Sequence, residues 1–209
     1  MHNVKLAVLL SGGGRTLQNI IDYIKAGKLT AEVVVVIGSR PDAYGLERAR
    51  KEGIETICVP HKEYKKSPDK DKLSKAINDH LDRYQIDLIV MAGFMHLFRA
   101  DEKWNGRIIN IHPALIPAFC GKGYYGHRVH EAVLEYGAKV SGCTVHFADR
   151  AYDKGPIILQ SAIHVEDDDT PDTLAARVFQ EECKLYPRAI QLFADGKLEI
   201  KGRRVRIKD

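Results

Sequence analysis

The chain has 209 residues, of which 44% are hydrophobic and 29% charged, a balance typical of one globular domain that needs no disulfide or metal to hold its core. Its apolar runs are too short to span a bilayer and no signal or transit peptide is visible, so we expect a cytoplasmic protein without a membrane partner. The net charge is only +4, and no aromatic residues alternate with the basic residues near the C-terminus, so we expect no nucleic-acid partner.

The first half of the chain alternates predicted strands and helices. Continuous apolar and β-branched runs predict strands at 5–10, 33–37, 55–59, 86–91 and 108–112. Apolar residues at helical spacing predict helices from residue 17 to Gly27, over 43–51, and around Leu73, Ile77 and Leu81. The intervening polar stretch 62–72 reads as a surface loop. Strands separated by helices predict an α/β fold with a doubly wound, mostly parallel sheet.

The second half of the chain has a different pattern. A short helix around Val129 and Val133 should end at Gly137, and strands at 140–147 and 157–165 should pair antiparallel. A long helix is predicted over 173–194, after a negatively charged stretch that suits a helix N-terminus. The tail 198–207 reads as a hairpin around Gly202. Several of the extra basic residues lie in this last segment of the chain: Lys201, Arg203, Arg204, Arg206 and Lys208.

The cysteine and histidine patterns do not predict a metal site. The four cysteines, at positions 58, 120, 143 and 183, are too far apart for zinc or redox-pair spacing, so reduced thiols are expected. His127 and His130 could resemble a metal pair on a helix, but no third ligand is evident.

A glycine-rich loop at 11–16 is the first candidate site. It joins a strand to a helix, where unpaired amides bind phosphate, and Arg15 and Thr16 could add donors. A tight turn without a ligand is the alternative. The dinucleotide-binding pattern fails because position 17 is leucine, although Ser39-Arg40 leaves an NADP-dependent oxidoreductase open.

A polar pair at the end of the fifth predicted strand is the second candidate site. Asn110 and His112 project to the same face, at the carboxyl end where open α/β sheets bind ligands. An amide and an imidazole held side by side can stabilise an oxyanion. Asp153 joins them only if the fold brings it beside His112, and otherwise reads as a turn former. His146 is expected to support the site from its strand.

The ordered set of motifs resembles the phosphoribosylglycinamide formyltransferases, the folate-dependent GAR transformylases of purine synthesis. The resemblance covers nearly the whole chain. The segments that carry it are 11–18, 42–50 (DAYGLERAR), 91–98 (MAGFMHLF), 110–117 (NIHPALIP), 143–147 (CTVHF), 153–160 (DKGPIILQ) and 185–187.

The resemblance implies one formyltransferase domain over 1–209, with a nucleotide-binding-like half at 1–112 and a folate-binding half at 113–209. It implies formyl transfer from 10-formyltetrahydrofolate to the amine of glycinamide ribonucleotide, without a metal, in a monomer or homodimer. The implied catalytic residues are Asn110, His112, as a protonated imidazole, and Asp153. The implied ribonucleotide-binding residues are Gly13, Gly14, Arg15, Thr16 and Glu182. The implied folate-binding residues are Met95, His96, Leu97, Phe98, Asn110, Asp149, Arg150, Tyr152 and Asp153.

The chain departs from the family pattern mainly where folate is expected. His96 replaces an arginine, and no arginine lies near Ser67, where Lys65, Lys66 or Lys70 could substitute. The stretch 119–126 is longer than in the commonest form, and the family suggests a cis peptide before Pro117. A formyltetrahydrofolate hydrolase is the near alternative, but it usually carries an extra N-terminal domain. A methionyl-tRNA formyltransferase would need a C-terminal RNA-binding domain.

Overall fold

The computed structural model describes residues 3–69 and 71–209. The chain divides into two compact units, one ending at Ile109 and one running from Asn110 to Asp209, so the boundary falls inside the fifth strand. None of the helices within the described ranges has the length and apolar character needed to cross a membrane.

The first unit is a parallel α/β layer. Its elements are β1 (Val4–Leu10), α1 (Arg15–Lys25), β2 (Ala31–Gly38), α2 (Tyr44–Lys51), β3 (Glu55–Cys58), α3 (His61–Tyr64), α4 (Lys72–Leu81) and β4 (Leu88–Met91). The strand order is β3-β2-β1-β4, with every pairing parallel. The order therefore reverses beside β1, which is the point where doubly wound folds bind ligands.

Most predicted elements of this unit are confirmed, and two short ones were missed. The stretch predicted as a loop begins with the helical turn α3 after Pro60, and a 3₁₀ turn covers Glu102–Trp104. A single helical turn buries too little apolar surface to leave a periodic pattern in the sequence. Lys70, one of the proposed substitutes for the missing arginine, lies outside the described residues.

The second unit carries the antiparallel addition. Its elements are β5 (Ile108–His112), which crosses the boundary, α5 (His127–Tyr136), β6 (Val140–Phe147), β7 (Ile157–His164), α6 (Pro171–Ala194), β8 (Leu198–Lys201) and β9 (Arg204–Ile207). Strands β6 and β7 pair antiparallel, β9 pairs parallel with β7, and β8 and β9 form the hairpin. The predicted fold class, a mostly parallel sheet with antiparallel C-terminal strands, is confirmed.

Helix α6 packs on β6, β7 and α5 and begins two residues before the predicted start. The Thr170 side chain accepts a hydrogen bond from the backbone N–H of Thr173, and Pro171 occupies the first helical position. This capping box satisfies amides that a helix end would otherwise leave unpaired.

Candidate active site

The glycine loop is held by close packing between the starts of α1 and α2. Gly14 has φ 71°, and a Cβ added there would lie 2.5 Å from the Cα of Gly45, so this position requires glycine. Gly12 and Gly13, by contrast, face open space. No side chain caps the N-terminus of α1. The loop is therefore a tight turn that also presents a helix N-terminus, the arrangement that suits a phosphate.

Buried hydroxyls tie this loop to the neighbouring strand ends. The Ser11 and Ser39 hydroxyls, both 1% exposed, are 2.7 Å apart, and Ser11 Oγ accepts the N–H of Met95 at 3.0 Å. The N–H of Ser11 donates to the carbonyl of Gly93. These bonds connect the carboxyl ends of β1, β2 and β4, so the proposed phosphate loop and the 95–98 segment form one continuous surface.

Arg48, on α2, contacts the glycine loop, although the sequence did not predict it as a site residue. Its Nε donates to the carbonyl of Gly13 at 2.9 Å, and its guanidinium lies 5.0 Å from the centre of the Tyr44 ring. The sequence feature that could have identified Arg48 is its position in the 42–50 segment, which carries part of the family resemblance. Arg48 fixes the orientation of the peptide that follows Gly13.

The two groups suggested for an NADP 2′-phosphate have protein partners. The Ser39 hydroxyl contacts Ser11, and Arg40 Nη2 pairs with Asp42 Oδ2 at 2.5 Å on the surface. The Ser39-Arg40 pair, which kept the oxidoreductase alternative open, is therefore explained by contacts within the protein.

In the first unit, the segment expected to bind folate, residues 95–98, contains both exposed and buried side chains. The Met95 side chain is 47% exposed, whereas Phe98 is buried in the core. His96 stacks on His61 with ring centroids 4.0 Å apart and an interplanar angle of 17°. Burial, followed by the charge of His61, lowers the pKa of His96 to about 4. A neutral imidazole thus stands where the family carries an arginine.

The three predicted catalytic residues meet in the second unit. His112, 4% exposed at the end of β5, has its Nδ1 3.7 Å from Asp153 Oδ2. Asn110 Nδ2 lies 3.2 Å from His146 Nε2, and Asp153 Oδ1 lies 3.6 Å from the same nitrogen. His146 therefore stands between the amide and the carboxylate and contacts both, a closer role than the supporting one we expected for it.

Carbonyl acceptors assign the protons of both imidazoles. His146 Nδ1 is 2.8 Å from the carbonyl of Phe147, so Nδ1 carries a proton, and Nε2 lies within reach of both the Asn110 amide and the Asp153 carboxylate. His112 Nε2 is 2.8 Å from the carbonyl of Phe119, so Nε2 carries its proton. In the neutral imidazole, the lone pair of His112 Nδ1 then faces the Asp153 carboxylate.

Burial and charge act in opposite directions on this pair. Burial lowers the pKa of His112, and the neighbouring Asp153 only partly opposes this effect. Burial alone would raise the pKa of Asp153, but the ring of His146, the charge of His112 and the N–H of Gly121 lower it overall. We infer a neutral His112 beside an ionised Asp153 at neutral pH. The imidazolium that the resemblance implies for the tetrahedral intermediate stays a prediction.

The turn that follows His112 is anchored by a polar network. The Thr144 hydroxyl donates to the carbonyl of Ala114 at 2.7 Å and accepts the N–H of Ile116 at 3.1 Å. The Gln160 amide donates to the carbonyl of Ile116 at 3.0 Å. The peptide between Ile116 and Pro117 is cis, as the resemblance suggested. Strands β6 and β7 thus fix the chain immediately after the catalytic strand.

A close backbone contact fixes the loop that carries Asp153. A Cβ added at Gly155 would lie 1.7 Å from the carbonyl oxygen of Phe147, whose N–H donates to the carbonyl of Pro156 at 2.9 Å. The loop residues predicted to cover folate, Asp149, Arg150 and Tyr152, are exposed, and Asp149 accepts the N–H of Ala151.

The remaining nucleophilic and ligating side chains are in less reactive states. Burial, and then the charge of Glu182 on α6, raises the pKa of Cys143 to about 12. Burial, and then Asp153, raises the pKa of Cys120. His127 pairs with Asp172 at 2.7 Å, while His130 is buried. Among residues 3–69 and 71–209, no group of three or more His, Cys, Asp or Glu side chains is arranged to hold a metal ion.

Comparisons with known proteins show the family of the chain. The formyl transferase family matches residues 4–190. The phosphoribosylglycinamide formyltransferase of Arabidopsis thaliana, named as chloroplastic, is 40% identical over 93% of this chain and 67% of its own length. That of Haemophilus influenzae is 35% identical over 94% of this chain and 90% of its own length. The chain also matches a trifunctional purine biosynthetic protein of Bos taurus, of which it spans only 19%.

Solved structures agree on the fold. Glycinamide ribonucleotide transformylase 1 of Symbiobacterium toebii has a TM-score of 0.90 and 43% identity, over 100% of this chain and 95% of that one. A formyltetrahydrofolate deformylase of Pseudomonas syringae has a TM-score of 0.86 at only 18% identity, over 100% of this chain and 67% of that one, which is a likeness of fold alone. The chain therefore belongs to the formyl transferase family and, within it, to the phosphoribosylglycinamide formyltransferases.

Proposed function

We propose that this chain transfers the formyl group of 10-formyltetrahydrofolate to the amine of glycinamide ribonucleotide. The products are formylglycinamide ribonucleotide and tetrahydrofolate, and the reaction belongs to purine biosynthesis. The observation that carries the proposal is the cluster of Asn110, His112 and Asp153, with His146 between the amide and the carboxylate. The family membership of the chain supports it.

The cluster suits direct transfer without a covalent enzyme intermediate. The substrate amine attacks the formyl carbon, the Asn110 amide donates to the oxyanion that forms, and His112, once protonated, stabilises it by its charge. Because His112 rests neutral beside ionised Asp153, protonation of Nδ1 converts the pair into an ion pair as negative charge develops on the substrate. The amine proton passes through this pair, directly or by way of water, to the departing folate nitrogen, so one proton leaves the amine and one reaches tetrahydrofolate.

We assign substrate binding to both units. The ribonucleotide phosphate is proposed to bind Gly13, Gly14, Arg15 and Thr16, because α1 has no side-chain cap and Gly13 faces open space. The ribose hydroxyls are assigned to Glu182, which is half-buried on α6. The folate is assigned to residues 95–98 and to the exposed loop 149–153. The cytoplasmic location, the lack of nucleic-acid and metal partners, and the monomeric or homodimeric state stay predictions.

The decisive experiment separates transfer from hydrolysis. The protein is mixed with 10-formyltetrahydrofolate carrying a ¹³C-formyl group, with and without glycinamide ribonucleotide, and the label is followed by NMR. The proposal expects tetrahydrofolate release that depends on the amine, with the label on the ribonucleotide. Label found as free formate, at a rate independent of the amine, would instead establish the hydrolase alternative. A nicotinamide-dependent absorbance change would establish the oxidoreductase alternative.

A further inference from the structure

The backbone is unfavourable at both protein groups that contact the His112 ring nitrogens. Among the residues that the structure describes, the non-glycine residues with positive φ are Phe119, at 46°, and Asp153, at 53°. The Phe119 carbonyl is hydrogen-bonded to His112 Nε2, and the Asp153 carboxylate faces His112 Nδ1. A bulky residue such as phenylalanine rarely adopts this conformation. Strain at Phe119, together with the uncommon left-handed conformation at Asp153, indicates that the surrounding structure enforces the positions of these two groups.

The same short segment also contacts the carboxylate. The N–H of Gly121 donates to Asp153 Oδ2 at 2.8 Å, and this is the oxygen that faces His112 Nδ1. Two backbone groups of residues 119–121 therefore contact both members of the pair, a carbonyl on the imidazole and an N–H on the carboxylate. A carbonyl only accepts a hydrogen bond and an N–H only donates one. The segment therefore favours a proton on His112 Nε2 and an ionised carboxylate at Asp153.

An exposed aromatic cluster holds Phe119 in this conformation. The Phe119 ring makes edge-to-face contacts with Tyr136, at a centroid distance of 5.8 Å, and with Tyr124, at 6.5 Å. Tyr136 ends helix α5 and is 81% exposed, so it contributes little to the core of the unit. Edge-to-face pairs of this kind stabilise a particular ring position. The role of Tyr136 is therefore its contact with the Phe119 ring and not packing in the core.

We propose that residues 119–121, held through the Phe119 ring by Tyr136, position the His112–Asp153 pair and decide which nitrogen of His112 carries the proton in the free protein. The consequence for catalysis rests on the proposed function, but the position of the proton is a property of the protein without substrate. With Nε2 protonated, His112 can accept a proton only at Nδ1, beside Asp153. Phe119 and Gly121 are thus positioning residues.

Other titratable groups surround the pair and must stay unchanged in the test. His146 faces Asp153 from β6, and His130, on α5, is close enough for its charge to act on His112 when both are protonated. Cys120 and Lys154 flank Asp153 on the two loops. Tyr136 lies outside this set, so its substitution changes the position of the segment without removing a charge near His112.

The first test replaces Tyr136 and reads the tautomer of His112 by ¹⁵N NMR of histidine-labelled protein without substrate. We expect the Nε2–H form in the parent protein, a mixture of tautomers in Tyr136→Ala, and the parent spectrum in Tyr136→Phe, which keeps the ring. The acid limb of kcat/KM reports the protonation of neutral His112, whose pKa the Phe119 carbonyl raises, so displacement of this carbonyl in Tyr136→Ala should move the limb to lower pH by about half a unit.

The second test uses two matched glycines of the same loop. Gly121 has φ 94° and Gly123 has φ 100°, and an added Cβ meets no atom within 4 Å at either position. Alanine should therefore strain both equally, but only Gly121 donates to Asp153. We expect Gly121→Ala to shift the acid limb and the His112 resonances, and Gly123→Ala to leave both unchanged.

Three results would overturn the inference. One is an unchanged His112 tautomer and pH profile in Tyr136→Ala and Gly121→Ala. Another is an equal response of the two glycine variants, which would indicate general loop strain rather than positioning. The third is an Nδ1–H tautomer in the parent protein. Failure of the parent protein to transfer formyl to the amine would overturn the proposed function instead, while the NMR result would still decide the positioning role.

Discussion

The glycine loop of the first unit and the His112 cluster of the second are built in opposite ways. The loop at 11–16 is local: consecutive residues form a turn, and its critical property is the absence of a side chain at Gly14. The cluster gathers side chains from β5, β6 and two loops, and its properties come from burial and distant partners. Substitutions in the glycine loop should therefore act through steric collision. Substitutions in the His112 cluster should act by removing or displacing a catalytic group.

Removal of the His112 imidazole should have the largest effect. We expect His112→Ala to lower kcat by about 10³-fold, because both a proton acceptor and the positive charge that it creates beside the oxyanion are lost. Ribonucleotide affinity, measured by calorimetry, should be nearly unchanged. Turnover within tenfold of the parent protein would contradict the role given to His112.

A substitution that displaces Asp153 without removing it should have the second largest effect. Gly155→Ala forces a Cβ against the carbonyl of Phe147, so the loop that carries Asp153 must shift. A displacement of about 1 Å at a catalytic group costs roughly 10²-fold in kcat. Steady-state kinetics tests this, with Gly196→Ala as a control for backbone strain alone, since alanine there has positive φ but its Cβ meets no atom within 4 Å at a distant turn. Equal kinetics for Gly155→Ala and the parent protein would show that the loop adapts without cost.

The glycine loop offers a pair of variants that separates folding from binding. Gly14→Ala should reduce the free energy of unfolding by about 2 kcal/mol, because the backbone has positive φ and the Cβ would collide with Gly45. Gly13→Ala should leave stability within about 0.5 kcal/mol but raise the KM for the ribonucleotide. Urea unfolding and KM measurements decide this, and equal stability losses in the two variants would contradict the local steric account.

Loss of the Arg15 guanidinium should act on one substrate only. If Arg15 contacts the phosphate, Arg15→Ala raises the KM for the ribonucleotide by about tenfold, the usual effect of losing a charged hydrogen bond. The KM for the folate should stay the same, and Arg15→Lys should recover part of the loss. A rise in both KM values would indicate a structural role for Arg15.

The smallest effect concerns two histidines, the half-buried His96 in the first unit and the buried His130 in the second. Burial lowers the pKa of each to about 4. The stability gained from keeping them neutral is present above pH 6.5 and is lost as the pH falls from 6.5 towards 4. The free energy of unfolding should fall by about 1 kcal/mol for each between pH 7 and 5, after allowance for solvent screening. Urea unfolding of His96→Gln and His130→Gln should show a weaker pH dependence; an undiminished one would contradict this.

The local features of the molecule were predictable because their signals lie close together in the chain. The strand and helix alternation of the first unit, the glycine loop and the C-terminal hairpin all follow from periodicity and turn residues. Arg48 was not predicted as part of the loop, since its contact with Gly13 depends on how α2 packs. The turn α3 was missed because it is too short to repeat an apolar pattern.

The sequence by itself determined the fold class, the glycine turn and the placement of Asn110 and His112 on one face of a strand. Those properties depend on the 2.0 and 3.6 residue periods and on turn chemistry, which are local. Only the tertiary structure decided that Asp153 meets His112, that His146 contacts the amide, and that the Phe119 carbonyl assigns the His112 proton. These depend on contacts between distant segments and on burial, which sets the charge of His112 and cannot be read from residue spacing.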